Sequence, residues 1–174
     1  MAQEDSRVYI PEQFSNPANP MAHHHTGLEI LEQVDGPIDG FCSGIGTGGT
    51  ISGIGEVLKK QNPDITIWAV EPEHAAILTG GNVGTHLQMG IGDGIIPQNL
   101  NQTIYDDIYI VTDKEAIQTA KDLARLEGLM CGISSGTNVA AALKLAKKLG
   151  KGKTVVTILP DTAERYFSTP LFKK

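Results

Sequence analysis

The stretch Ser43-Gly44-Ile45-Gly46-Thr47-Gly48-Gly49-Thr50 decides the fold of this chain, because it joins an apolar strand to a helix. Residues 38–42 before it predict a short buried strand, and residues 50–60 after it carry the apolar stripe of a helix. Glycines at a strand exit allow backbone conformations that other residues avoid, and they bring N–H groups close to a ligand. The following helix N-terminus adds unpaired N–H groups and a partial positive charge. The loop therefore predicts an anion site, most naturally for phosphate.

Two other interpretations of this loop stay open at the level of sequence. The segment from Gly44 to Gly49 spells G-x-G-x-x-G, and Glu71 follows the next strand, where a dinucleotide-binding fold expects an acidic residue. Hydroxyls at both ends of the GTGGT loop suit one terminal phosphate better than a pyrophosphate. The same glycines are also compatible with a tight turn that packs closely and binds no ligand.

Composition restricts the classes of function. A length of 174 residues suits one domain, and a net charge of −6 without a basic run argues against nucleic acid and anionic membranes as partners. Cys42 and Cys131 predict reduced core residues, with no disulfide framework or metal spacing. No apolar run approaches the roughly 20 residues of a membrane span, and residues 1–7 lack a signal-peptide pattern, so we expect a cytoplasmic protein. The run His23-His24-His25 predicts an exposed polar face and no metal site, because consecutive helical side chains point about 100° apart.

Strand-like and helix-like segments alternate along the chain, which predicts an α/β architecture around a mostly parallel sheet flanked by helices. The predicted strands are 8–10, 38–42, 66–70, 108–111 and 154–159, the last apolar enough for a sheet buried on both faces. The first predicted helix is 21–34 with Leu28, Ile30 and Leu31 inward, and the second is 50–60 with Ile51, Ile54 and Leu58 inward. The third begins at a capping box at 112–115 and ends at Gly128, with Ile117, Ala120 and Ala124 on one face. The fourth extends from Ser134 to Gly150, with Val139, Leu143 and Ala146 inward. Residues 16–20 predict a rigid turn, and residues 71–103 a long connection of the functional or mobile kind.

Several short motifs occur in a fixed order along the chain. They are QFSNPANP at 13–20, GTGGT at 46–50, VEP at 70–72, GIG at 90–92 with IP at 96–97, GISSG at 132–136, and LPD at 159–161 with ERY and ST after it. In this order they resemble the cysteine synthases, or O-acetylserine sulfhydrylases, from about residue 8 to residue 172. The resemblance implies the tryptophan-synthase-β fold (fold type II) of pyridoxal-phosphate enzymes, with cystathionine β-synthases as close relatives.

The resemblance also implies roles for three groups of residues. The loop of Gly46, Thr47, Gly48, Gly49 and Thr50 would hold the phosphate of pyridoxal 5′-phosphate. Ser134 would hydrogen-bond the pyridine nitrogen, and a neutral hydroxyl there suits β-elimination and β-replacement better than transamination. Gly90, Ile91 and Gly92 would line the substrate entrance and close over the substrate. Without the resemblance, Ser134 is a typical helix N-cap and residues 90–92 are an ordinary flexible loop.

The same resemblance implies that residues 1–174 are the C-terminal part of a longer domain. Family members carry an N-terminal half with the Schiff-base lysine, and the lysines of this chain, among them Lys59, Lys60, Lys114, Lys144 and Lys147, are predicted on exposed helix faces. We therefore expect no catalytic residue in this chain and no activity from it alone. The whole enzyme would be a homodimeric transferase of amino-acid biosynthesis that makes L-cysteine and acetate from O-acetyl-L-serine and sulfide. Its cleft would also accept the C-terminal tail of serine acetyltransferase.

Two departures from the family pattern keep other functions open. Met89 stands where many members carry Gln, and Asp93 stands where they carry a small residue. An O-acetylserine-dependent cystathionine β-synthase, with homocysteine as acceptor, therefore remains an alternative. A truncated, non-catalytic paralogue that acts as a binding module is the other.

Overall fold

The computed structural model describes Asp5 and residues 7–173, so most of the N-terminal segment 1–7 lies outside it. The strands are β1 (Gly40–Gly44), β2 (Thr66–Pro72), β3 (Asp107–Val111) and β4 (Val155–Thr157). The α-helices are α1 (Ala18–Gln33), α2 (Gly49–Gln61), α3 (Asp113–Asp122) and α4 (Ile133–Leu149). All strand pairs are parallel, in the order β3-β2-β1-β4, which confirms the predicted α/β architecture.

Helices cover both faces of the sheet, because alternate residues of a strand point to opposite sides. Phe41 and Ile67 face one core with α2, whose predicted inward residues Ile51, Ile54 and Leu58 are all buried there. Cys42 and Trp68 face the second core, which α3 and α4 complete. The carboxyl ends of four parallel strands therefore meet at one edge of the sheet, which is where ligands bind in open α/β folds.

The helix ends follow local chemistry that the sequence predicts. The Thr112 hydroxyl accepts a hydrogen bond of 3.1 Å from the Glu115 N–H, so it caps α3 as a capping box requires. Beyond α3, residues Leu123–Glu127 form a π-helical turn that ends at Gly128, where φ is +72°. The connection between β2 and β3 contains only two short 3₁₀ turns, Glu73–Ala75 and Ile77–Thr79, as its lack of periodicity predicts.

Three predictions from periodicity are wrong. Residues 8–10 form no strand, since no described strand lies beside them to pair with their backbone groups, and Tyr9 is 80% exposed. Leu28 and Leu143 are 56% and 63% exposed rather than inward. Small residues make the actual contact faces of these helices: α1 meets α2 at Gly27, and α4 buries Ala140 and Ala141 beside Leu145.

Strand β4 is shorter and more exposed than the sequence predicts. It spans three residues, all half-buried, instead of a run covered on both faces. Its position explains the difference, because it lies at the edge of the sheet and pairs only with β1 among the residues described. The predicted turn at 16–20 is likewise partly helical, since α1 already begins at Ala18. None of the described helices is both long and apolar enough to cross a bilayer.

Candidate functional site

The glycine loop takes a conformation at its centre that favours glycine. Gly48 is the N-cap of α2 with φ +78° and ψ −9°, and no side chain caps the helix. A Cβ at this position would lie 2.7 Å from Leu100 Cβ and 2.8 Å from Leu100 Cα. Neither the backbone angle nor the space beside Leu100 admits a side chain, so this position requires glycine. The first N–H groups of a helix have no partner within the helix, and those of α2 begin directly after Gly48.

The loop borders a cleft at the carboxyl edge of the sheet. Gly46, Thr47, Gly48 and Thr50 line a cavity of about 360 Å³. The other walls are His23, Ser43, Gly44, Gly90, Ile91, Asn138 and residues 158–160. Within the part of the chain that the structure describes, no carboxylate lines this cavity. Helix-start N–H groups, two hydroxyls and the absence of negative charge together fit a phosphate group.

The segment 90–92 packs directly on the glycine loop. The Gly90 carbonyl lies so close to Gly46 that a Cβ there would collide with it. The Gly92 N–H donates a 2.9 Å hydrogen bond to the Ile45 carbonyl. Gly90 and Ile91 thus reach the cleft, whereas Gly92 and Gly49 are not among the residues lining it. Sequence reasoning placed these two segments at one site, and the structure brings them together.

Ser134 lies near the cleft and does not cap a helix. The N-cap of α4 is Gly132, and Ser134 is the second helical residue, 4% exposed. Its hydroxyl has no hydrogen-bond partner among the described residues, and Ser134 itself is not among the residues lining the cavity. Asn138 does line the cavity, and residues four apart share a face of a helix. Ser134 therefore lies one turn from the cleft on the same side of α4.

Asn138 is a cleft residue that sequence reasoning missed. Its Oδ1 accepts a 2.7 Å hydrogen bond from the Gly44 N–H, and its Nδ2 donates one of 2.8 Å to the Ile158 carbonyl. It thereby joins the end of β1 to the segment after β4, two walls of the cavity. The only signal in the sequence was an amide in a helix of small and apolar residues.

A second amide, Asn19, holds the glycine loop from the other side. Its Nδ2 donates to the Gln13 carbonyl at 2.8 Å and to Thr47 Oγ1 at 2.9 Å. Next to it, His23 Nε2 lies 3.2 Å from Thr50 Oγ1, and burial lowers the pKa of His23 and so favours its neutral form. Asn19 belongs to the NPANP segment and His23 follows it closely, although sequence reasoning gave that motif no role at the site.

The segment after β4 is tied to the start of α4. The Gly132 N–H donates a 3.1 Å hydrogen bond to the Asp161 carbonyl, and the Tyr166 hydroxyl donates to Asp161 Oδ2 at 2.5 Å. Burial, together with this bond to a carboxylate, raises the pKa of Tyr166 to about 12. These contacts fix the position of Pro160, which forms part of the cleft wall.

Glu71, the acidic residue of the dinucleotide interpretation, points elsewhere. It is 3% exposed, and its Oε1 accepts a 2.9 Å hydrogen bond from the Leu78 N–H. Burial raises the pKa of this carboxyl, although backbone N–H groups oppose the effect. The Glu71 carboxylate thus binds the turn after β2 and does not line the cavity. Its position gives the dinucleotide interpretation no support.

The histidine run does not converge on one point. His23 faces Thr50, whereas His24 Nε2 lies 2.8 Å from Glu56 Oε2 on the surface. Among the residues described, no three His, Cys, Asp or Glu side chains are grouped so as to hold a metal ion. No described lysine lines the cleft, and Lys59 instead pairs with Asp106 at 2.8 Å.

Comparisons with known proteins match this geometry to a family. A family model described as pyridoxal-phosphate dependent enzyme matches residues 1–161. A cysteine synthase of Staphylococcus aureus is 51% identical over 97% of this chain and 55% of its own length. The structure of a cysteine synthase from Entamoeba histolytica has a TM-score of 0.94 and 41% identity, over 99% of this chain and 52% of that one. The structure of the O-acetylserine dependent cystathionine β-synthase from Helicobacter pylori has a TM-score of 0.93 and 39% identity, over 99% of this chain and 56% of that one.

These relatives are longer than the chain, which spans about half of their length. The match nevertheless extends over nearly all of this chain, at identities well above those at which only a fold is shared. The family's cofactor is pyridoxal phosphate, and the phosphate-compatible cleft lies at the carboxyl ends of the strands, where ligands bind in open α/β folds. The chain belongs to the family of pyridoxal-phosphate dependent enzymes and has the α/β fold of the cysteine synthases.

Proposed function

We propose that this chain provides the phosphate-holding half of the active site of a cysteine synthase. The observation that carries the proposal is the cleft itself: Gly46, Thr47, Gly48 and Thr50, at the start of α2, line a cavity that no described carboxylate lines. A dianionic phosphate placed there gains charge-assisted hydrogen bonds and the field of α2. The 51% identity to a cysteine synthase supports the same assignment.

Three groups of residues have separate roles in the proposed site. Gly46 to Thr50 bind and orient the phosphate group. Ser134, buried and with an uncommitted hydroxyl, donates a hydrogen bond to the pyridine nitrogen and leaves it unprotonated. Gly90, Ile91 and Gly92 close over the substrate and exclude water from it. Pyridoxal phosphate, when bound, supplies an electron-withdrawing ring that stabilises negative charge at the α-carbon of an amino-acid substrate.

The activity proposed for the whole protein is β-replacement: O-acetyl-L-serine and sulfide give L-cysteine and acetate. Two relatives support this substrate pair. The Staphylococcus aureus relative is a cysteine synthase, and the Helicobacter pylori enzyme is an O-acetylserine dependent cystathionine β-synthase. We also propose that the whole protein is a homodimer and that its cleft accepts the C-terminal tail of serine acetyltransferase, as the family resemblance implies.

We propose that the chain by itself is not a competent enzyme. Covalent catalysis in this family needs a lysine amine that holds the cofactor and moves protons. No described lysine reaches the cleft. Apolar side chains also stay exposed near the segment after β4, among them Leu129, Met130 and Leu159, at 46%, 55% and 40%. Surfaces of this kind favour association with another polypeptide.

A chimera tests the proposal. The part of the Staphylococcus aureus cysteine synthase that this chain does not match is fused in front of the 174 residues, and cysteine formation from O-acetylserine and sulfide is measured. We expect turnover from the chimera and none from the chain alone. Gly48→Val in the chimera is the matched control, since a β-branched residue would collide with Leu100 and cannot keep the φ of +78° that the loop requires. A folded chimera that binds pyridoxal phosphate and makes no cysteine would overturn the substrate assignment.

The same chimera separates the alternative functions. Homocysteine replaces sulfide in a second assay, and a faster rate with homocysteine would favour a cystathionine β-synthase. A borohydride-trapped adduct at one lysine of the unfused chain, together with turnover, would contradict the proposal that a lysine is missing. Absence of activity in every combination, with native folding, would favour the non-catalytic binding module.

A further inference from the structure

Asn19 stands behind the phosphate loop and faces no ligand itself. It is not among the residues lining the cavity, yet its amide lies within hydrogen-bond distance of Thr47, which is. It also touches the loop backbone, since its Oδ1 lies directly against Gly49. The orientation of this amide determines which partner in the Asn19–Thr47 pair is the donor.

The Gln13 carbonyl fixes that orientation. A carbonyl oxygen only accepts hydrogen bonds, so the amide atom 2.8 Å from Gln13 O must be the NH₂ group of Asn19. This removes the usual ambiguity between the oxygen and nitrogen of an asparagine amide. The second hydrogen of the same NH₂ group is directed at Thr47 Oγ1, 2.9 Å away. Thr47 is therefore the acceptor in this pair.

The hydroxyl hydrogen of Thr47 is then left for the cleft. A threonine hydroxyl has two acceptor positions and one hydrogen to donate. Asn19 takes one acceptor position, and the Gly49 N–H, 3.5 Å away, approaches the other. Among the residues described, the Thr47 hydroxyl donates to none, and Thr47 lines the cavity. The hydrogen is therefore available to an anion bound in the cavity.

We propose that Asn19 is a positioning residue that sets the Thr47 hydroxyl as a hydrogen-bond donor to the phosphate group bound at the glycine loop. The inference rests on the proposed phosphate site and adds to it a residue that does not touch the ligand. If Thr47 Oγ1 were free to donate to a protein acceptor, it would offer the anion a lone pair and repel it. With Asn19 behind it, the hydroxyl is polarised in the favourable sense before the ligand arrives.

A double-mutant cycle on the 174-residue chain tests the proposal. The probe is 4′-deoxypyridoxine 5′-phosphate, which lacks the aldehyde and so forms no adducts with surface lysines. Its affinity is measured by calorimetry for the unmodified chain, Asn19→Ala, Thr47→Val and the double variant. We expect Asn19→Ala to weaken binding about tenfold, the usual worth of a hydrogen bond to a charged group. In the Thr47→Val background the same change should have no further effect, because the hydroxyl on which it acts is gone.

Asn99 provides the matched control. Its Nδ2 donates to the same Gln13 carbonyl at 2.8 Å, so Asn99→Ala loosens the same segment without touching Thr47. Asn99 is buried, but its hydrogen bonds join it to Gln13, Phe14 and Ser52 and not to Thr47. We therefore expect the affinity of Asn99→Ala to stay within about twofold of the unmodified chain, as for changes at independent sites. Should Asn19→Ala fail to fold, Asn19→Leu fills the same space without a donor and replaces it in the cycle.

The outcomes separate this inference from the proposed function. Weaker binding in Thr47→Val with unchanged binding in Asn19→Ala would leave the phosphate site standing and overturn the role of Asn19. An equal loss from Asn19→Ala in both backgrounds would show that Asn19 acts through the packing of the loop, which also overturns it. If the unmodified chain binds the phosphorylated probe no better than 4′-deoxypyridoxine, the phosphate site and the inference both fail.

Discussion

Replacing Gly48 by alanine tests the geometry of the phosphate loop directly. Gly48 has φ +78°, and an alanine Cβ would lie 2.7–2.9 Å from three atoms of Leu100. The left-handed conformation costs an L-residue about 1–2 kcal/mol, and forcing a methyl group into filled space costs about 1–3 kcal/mol more. We therefore expect Gly48→Ala to lower the free energy of unfolding by about 2–5 kcal/mol and to abolish binding of 4′-deoxypyridoxine 5′-phosphate.

Gly80 gives a control with nearly the same backbone. Its φ is +80° and ψ is +17°, but an added Cβ would meet no atom within 4 Å. Gly80→Ala should therefore lose only the conformational part, about 1–2 kcal/mol, and should bind the probe normally. Urea unfolding of both variants, with calorimetric titration of the probe, gives the two quantities for each.

The comparison between the two variants decides the matter. If Gly48→Ala and Gly80→Ala lose the same stability, the space at Leu100 is not limiting and the close packing inferred for the loop is wrong. If Gly48→Ala is destabilised as expected but binds the probe with unchanged affinity, the loop is a structural turn and the anion site lies elsewhere. Either result would refute part of the reasoning.

Three further expectations concern chemistry at other positions. In the complete enzyme, Ser134→Ala should keep the fold and slow acetate release from O-acetylserine about tenfold. Ser134→Asp should protonate the pyridine nitrogen and increase side reactions. Rates equal to those of the unmodified enzyme in both variants would make Ser134 a purely structural residue. From the family resemblance, which implies a substrate entrance around Asp93, we expect the complete enzyme to prefer sulfide to homocysteine at equal concentration in steady-state assays. The reverse preference would contradict this. Burial raises the pKa of the Cys42 thiol from 9.0 to about 12, so the native chain holds this proton more tightly than the unfolded chain. Its contribution to stability should be complete below about pH 9 and fall as the pH rises toward 12, and the native thiol should resist alkylation at about pH 8; fast alkylation without unfolding would refute its burial.

The sequence predicts those features of the fold that depend on local chemistry. The strand–glycine–helix unit, the Thr112 cap and the buried stripe of α2 are all confirmed, because each is determined by residues close together in the chain. The orientation of α1 and α4 could not be found in the same way. Their apolar residues surround much of the helix, and the choice of the buried face depends on where small residues let a neighbour approach, as at Gly27.

The candidate site shows the same division. Residues 90–92 receive a role only through the family resemblance, since by themselves they predict an ordinary flexible loop. The glycine loop can be found from its residue types, because its glycines stand between a strand and a helix. Asn138 and Asn19 could not, because their importance comes from partners 94 and 28 residues away, Gly44 and Thr47. A single asparagine forms no periodic pattern in the sequence. Its side chain can cap a helix, form a turn or bind a distant residue, so only the folded arrangement shows which of these it does.

The cleft draws its walls from five separate stretches of sequence, around residue 23, at 43–50, at 90–91, at 138 and at 158–160. No short contiguous fragment contains more than one wall, so an anion can recognise only the assembled domain and not a partly folded chain. Ligand binding thus becomes a reporter of folding: at a concentration about one hundred times its dissociation constant, any ligand of this cleft adds about 2.7 kcal/mol to the free energy of unfolding. A thermal-shift screen of phosphorylated compounds would therefore rank ligands of this protein without any catalytic assay.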